Sequence, residues 1–307
     1  MEKYFRFSIL SIITTYLLIF FGGLVRVSGA GMGCPDWPKC FGRWIPPTNI
    51  NQVPEIYLEK FNIVLAWVEY INRLFGAVVG FVILLSCLFA YLYFKENKDV
   101  FFPILAALLL TLVEGWLGSV LVHSVLNPIT ITLHLLLALI IIGLIIYSAI
   151  RAYIVINGNS EMNSNYPQKV KWLVFSIMTC MVIEIIIGTE IRGALDMSRK
   201  DNPLIKGAIL LNMLGSFKYA HTILGILLIS ITYYLRKILI NLGLSCSRLM
   251  LFSVNSMFVI FFLQILSGEF LVFFDVKPVI QLFHMWFSSL LIGLGVVQYT
   301  CFKISKI

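Results

Sequence analysis

The sequence predicts an all-α integral membrane protein, with eight transmembrane helices in two pseudo-symmetric four-helix bundles. Three observations predict it. Of the 307 residues 60% are hydrophobic and only 12% are charged, whereas roughly a quarter of a soluble domain is charged. Eight apolar runs are long enough to cross a bilayer, which takes about 20 residues of helix. Short motifs of the first four runs recur in the last four at a nearly fixed offset. Inside lipid each backbone N–H and C=O must be satisfied within the protein, so runs of this length are helices.

The first run, 8–26, follows Lys3 and Arg6 and ends in a glycine pair. It is too long for a simple signal peptide, and no small-residue cleavage site follows, so it reads as a span. The second, 64–94, exceeds the bilayer and must tilt or project beyond it. The third and fourth cover 101–122 and 130–150. The second half repeats the count with 172–191, 218–235, 249–274 and 279–302. The predicted units are therefore 1–150 and 151–307.

Orientation follows from lysine and arginine placement. With both termini in the cytoplasm, the short inner segments hold twelve of these residues and the longer outer loops ten. The formal charge of +8 is spread over loops, which reads as membrane topology and not as a nucleic-acid surface. Cys34 and Cys40 share the first outer loop, "GCPDWPKCFGRWIPP" (33–47), where a disulfide would persist. Free thiols or a metal pair are the alternatives, and the nearest histidine is more than eighty residues away. The other four cysteines stand singly.

The repeat pairs Tyr70 with Tyr219, Asn72 with His221 and Gly76 with Gly225, an offset of 149. "EGWLG" (114–118) pairs with "QILSG" (264–268), and His134 with His284, at 150. "GGLVR" (22–26) pairs with "GTEIR" (188–192) at 166, the first outer loop absorbing the difference. Four spans per repeat is even, so both halves face the same way, related by a pseudo-two-fold along the membrane normal.

Ionisable residues in spans are costly and mark function. All four histidines, His123, His134, His221 and His284, fall near outer helix ends. His123, just before a loop, reads as an interfacial residue. His221 and His284 occupy equivalent turns of two helices of one half, which suits a bis-histidine heme with apolar walls. Arg192 and Lys218 are candidates for its propionates. Zinc suits the pair less, because only two nitrogens converge and no carboxylate or cysteine is evident beside them. In the first half His134 matches His284, but Asn72 stands where the second half has His221. Glu69, Asn72 and Arg73 share one helix face by i+3 and i+4 spacing. Their placement at the mouth of a heme-sized cavity suggests chemistry; the structural alternative is a Glu69–Arg73 ion pair that anchors the helix end. Glu114, Glu184 and Glu269 lie deeper, where each is expected to hydrogen-bond inside its bundle, without an assigned role.

"GGLVRVSGAGMGCPDWPKCFG" (22–42), "EYINR" (69–73) and the histidines of spans four, six and eight resemble the heme A synthase family over nearly the whole chain. The resemblance implies an eight-span enzyme that oxidises the C8 methyl group of heme O to a formyl group, making heme A for terminal oxidases. It implies heme b ligated by His221 and His284, substrate heme O ligated by His134, Glu69 as the catalytic acid, and a Cys34–Cys40 disulfide. Asn72, Arg73, Arg26 and Arg192 are then candidate heme contacts. It further implies a cell (plasma or inner) membrane location with the cysteine loop outside, heme O synthase and oxidase assembly factors as partners, and room for oligomers. Three positions depart from the family. Asn72 replaces a common histidine, Thr222 replaces a common arginine, and the second half lacks an extra cysteine pair. Two other functions compete: a heme b electron-transfer cytochrome, which needs a second histidine pair that Asn72 breaks, and a transporter, which needs broken helices near the midplane.

Overall fold

The computed structural model describes residues 1–158, 166–201, 204–243 and 246–304. Nine helices are found among them: α1 (Glu2–Val27), α2 (Ile63–Phe94), α3 (Lys98–His123), α4 (Pro128–Asn157), α5 (Gln168–Asp201), α6 (Gly207–Met213), α7 (Phe217–Asn241), α8 (Arg248–Phe273) and α9 (Pro278–Ile304). Among the described residues no strand occurs beyond an isolated Cys40–Arg43 bridge. All but the short α6 are long and apolar enough to cross a membrane. The protein is thus an all-helical, multi-pass membrane protein.

The helices outrun the apolar runs. α5 continues to Asp201, about ten residues past its run, and α7 continues to Asn241 through Arg236 and Lys237. Hydropathy marks where hydrocarbon ends, not where i→i−4 bonding ends. The 34 residues of α5 span about 50 Å at 1.5 Å per residue, well beyond a hydrocarbon core of about 30 Å. The Arg192–Asp196 pair, one turn apart at 3.0 Å, supports that extension. α6 was not visible in the sequence, because seven residues are too few for a periodic signal.

The chain divides into two compact units, Met1–Ile145 and Ile146–Ile307, with the boundary inside α4. In the first unit α2 packs against α1 and α3. The buried face of α1 is Tyr4, Ser8, Ser11 and Thr15, a helical stripe of mostly small polar residues. Lipid provides no hydrophobic drive between helices, so close approach and hydrogen bonds hold them. Ser11 and Ser86 bond across α1 and α2 at 2.8 Å, and Tyr4 meets Phe94 edge-on at 5.3 Å. In the second unit the contacts α5–α7, α7–α8, α8–α9 and α9–α5 close a four-helix ring.

Helix starts follow side-chain chemistry. Asn62 caps α2 by accepting from the N–H groups of Val64 and Leu65 at 3.0 and 3.2 Å, and Ser247 caps α8 by accepting from Met250 at 3.2 Å. Proline opens both α4 and α9, where its missing N–H costs nothing. The turns before these prolines match residue by residue at an offset of 150. Val125 and Leu126 are left-handed in the first, Asp275 and Val276 in the second. Leu126 N–H donates to Leu121 at 3.0 Å and Val276 N–H to Leu271 at 2.9 Å, the six-to-one bond of a Schellman closure.

Candidate functional site

In the first unit the site is roofed by residues 28–62. Cys34 and Cys40, six residues apart, are disulfide-bonded. Phe41 packs edge-on against Tyr57 and Phe61 at 5.7 and 5.3 Å, and these residues with Val53 and Ala66 form a small core. The Asp36 carboxylate accepts from the N–H groups of Phe41 and Gly42 at 2.6 and 2.8 Å, closing the loop on itself. Gly33 is demanded by contact: a Cβ there would stand 2.3 Å from the Leu65 carbonyl oxygen. The loop thus lies directly on the start of α2. Trp44, 67% exposed, faces outward with Lys39 Nζ 5.9 Å from its ring centre.

Glu69 and Arg73 fasten this loop. Glu69 is buried, 5% exposed. Its Oε2 accepts from the Cys34 N–H at 2.8 Å, and its Oε1 pairs with Arg73 Nη2. Arg73 Nη1 donates to the carbonyls of Asp36 and Lys39 at 2.7 and 3.0 Å, and Nη2 to that of Cys34 at 3.4 Å. The ion pair anticipated from i+4 spacing is present, and it anchors the disulfide loop as well as the helix. Asn72, on the same face, keeps its Oδ1 buried without a hydrogen-bond partner. Such an atom in a native site calls for an unseen partner.

His134 is the seventh residue of α4. Its Nδ1 lies 3.2 Å from Glu114 Oε1 on α3. His284 is the seventh residue of α9, and its Nδ1 lies 2.9 Å from Ser267 Oγ. His221, on α7, has its Nδ1 3.1 Å from Glu184 Oε1 on α5. This corrects the expectation that no carboxylate stands beside the pair: Glu184 is 37 positions away in sequence, and only packing of α5 on α7 joins them. Glu269 also departs from expectation. It is exposed and does not point into the bundle.

The His221 and His284 rings are 6.2 Å apart between centroids, at 64°. Two metal–nitrogen bonds of about 2 Å in line, with each ring centre just behind its nitrogen, give a spacing of about 6 Å. Each Nδ1 faces a protein side chain, so Nε2 is the nitrogen left for a metal. Both rings lie over glycines: a Cβ on Gly188 would meet His221 Cε1 at 3.2 Å, and one on Gly268 would meet His284 Cε1 at 3.4 Å. Two imidazoles held by their Nδ1 sides at this spacing fit the axial ligands of a heme. Among the described residues, no three His, Cys, Asp or Glu side chains converge as a metal cage.

The remaining candidates sit at the rim. Arg192 is already engaged, donating from Nη1 to Gln281 Oε1 and pairing with Asp196. Lys218 donates to Asn212 Oδ1 and lies over the Tyr219 ring. Arg26 occupies the last turn of α1. His123 is exposed at the end of α3, and its Nδ1 lies 2.8 Å from the carbonyl oxygen of Ser119 on its own helix.

The family model described as cytochrome oxidase assembly protein, COX15-CtaA, matches residues 5–296. The chain belongs to the COX15-CtaA family. The curated relatives of this COX15-CtaA chain include proteins named heme A synthase. That of Ehrlichia canis is 23% identical over 329 aligned residues, 95% of this chain and 90% of its own length. That of Wolbachia pipientis is 25% identical over 312, covering 89% and 90%. That of Shewanella oneidensis is 29% identical over 167, so this chain spans about half of that relative's length, 49%. The chain is thus a member of the heme A synthase family.

Proposed function

We propose that this chain oxidises heme O to heme A, converting the C8 methyl group to a formyl group for assembly of a terminal oxidase. The supporting observation is the inequality of the two units. The second unit offers two imidazoles 6.2 Å apart, which would hold heme b between them. The first offers one, His134, with Asn72 where the repeat has its second histidine. An amide is a poor ligand beside imidazole, so iron held by His134 keeps an open or water-bound face. The two units 1–150 and 151–307 then act as substrate half and cofactor half of a pseudo-symmetric pair.

His221 and His284 would hold heme b, which would supply one-electron transfer when bound. The chain's own residues do the rest. His134 orients the substrate. Glu69 places a buried carboxyl beneath the disulfide loop, where it can accept a proton or stabilise developing positive charge. The disulfide loop, fixed by Arg73, excludes water and is preorganised for a large apolar ligand. Arg26, Arg73 and Arg192 are the guanidinium groups we propose as heme contacts, by the affinity of guanidinium for propionate carboxylates. The loop faces outward from the cell membrane, both termini are cytoplasmic, and heme O arrives from heme O synthase.

Protein loaded with heme O tests this reading by magnetic circular dichroism. A high-spin component is expected to appear on loading and to vanish in His134→Ala. Low-spin heme alone, converted to high-spin by His123→Ala, would overturn the open site. Extracted pigment containing heme b alone would favour an electron-transfer cytochrome.

A further inference from the structure

We propose that Glu184 and Glu114 are positioning residues, each holding the Nδ1 side of a ligating imidazole: Glu184 that of His221 and Glu114 that of His134. This rests on the reading of those histidines as heme ligands. The carboxylate oxygens lie 3.1 and 3.2 Å from the two Nδ1 atoms, off the line of an ideal hydrogen bond, and the second oxygen of each carboxylate is buried without a partner. Burying a carboxylate costs several kcal/mol unless it is compensated, so packing alone does not explain either residue.

The internal repeat isolates the purpose. Leu18 stands 166 positions before Glu184, and the two make equivalent contacts. A Cβ on Gly76 would meet the Leu18 methyl groups at 4.0 Å, and a Cβ on Gly225 would meet Glu184 Oε1 at 3.3 Å. Hydrocarbon therefore suffices at this packing position. The carboxylate occurs in the unit whose α7 carries His221, and leucine in the unit whose α2 carries Asn72 instead. The converse holds at the other ligand. Gln264 stands 150 positions after Glu114, and there His284 faces the neutral Ser267 hydroxyl at 2.9 Å. Each unit thus has one histidine with a carboxyl partner.

A carboxylate on the far nitrogen fixes the ring and makes the ligating nitrogen more basic. Negative charge behind the ligand favours ferric over ferrous iron. Neutralising it should raise the midpoint potential and loosen heme.

The test is an equilibrium redox titration of the purified full-length holoprotein carrying Glu184→Gln. The low-spin spectrum should persist. At a fixed poise the reduced-to-oxidised ratio should rise about tenfold, the scale of losses when such partners are removed, which is 59 mV for a one-electron couple. Heme should also dissociate faster by a similar factor. Gly225→Ala keeps the charge but pushes the Glu184 carboxylate aside, and should shift the potential less, in the same direction. Glu114→Gln should leave this couple unchanged and shift that of heme bound through His134. An unaltered potential in both Glu184→Gln and Gly225→Ala, with low-spin heme retained, would overturn the role of Glu184. Failure of the ligand reading is separate: it would show as low-spin heme of unchanged potential in His221→Ala.

Discussion

His221→Ala and His284→Ala are each expected to remove the low-spin heme spectrum of the purified protein, or to convert it to high-spin. The two rings approach each other across a closed ring of helices; His284 Nδ1 is hydrogen-bonded to Ser267 of α8, and His221 Nδ1 lies beside the Glu184 carboxyl of α5. With either removed, a single imidazole would remain to hold the heme iron. The loss should be all-or-none at that site, since the second unit contains no other histidine. His123 and His134 belong to the first unit. Optical spectra of detergent-purified variants, normalised to folded protein, check this. Unchanged low-spin spectra in both variants would remove these histidines as ligands.

Glu69→Gln carries the second large effect. The substitution keeps shape and can still accept the Cys34 N–H, but it deletes the charge opposite Arg73. Leaving one member of a buried pair uncompensated costs about 3–5 kcal/mol, so part of the loss falls on the loop. If Glu69 also manages protons or charge during oxidation, heme A formation should fall by about a hundredfold or more, with heme O or a hydroxymethyl heme accumulating. Arg73→Gln separates the contributions. It detaches the loop carbonyls of Cys34, Asp36 and Lys39 but keeps the carboxylate, so it should lose less heme A than Glu69→Gln. Chromatography of extracted hemes reads both. Wild-type heme A yield in Glu69→Gln would leave that residue only its anchoring role.

Much of this was legible in the sequence because its signals are local or repeated. Eight apolar runs stand out wherever hydrocarbon must be crossed, and Glu69 with Arg73 is an i+4 pair on one turn. His134 and His284 announce themselves by recurrence. What was hidden depends on packing between distant segments. The Glu114–His134 and Glu184–His221 contacts each join separate helices, so the sequence shows costly carboxylates without their partners. The three loop carbonyls on Arg73 carry no side-chain signature. The left-handed pairs at Val125–Leu126 and Asp275–Val276 lack glycine, so the shared turn appears only in the backbone. The C-terminal extensions of α5 and α7 were missed because polar helix beyond the bilayer has no hydropathy signal.

Production of heme A from heme O by this chain can be measured directly. The full chain is produced in cells that make heme O but lack any other route to heme A, and hemes extracted from purified membranes are separated by chromatography. Heme A should appear with the wild-type chain. Its absence, with the protein present, folded and carrying heme b, would contradict the claim.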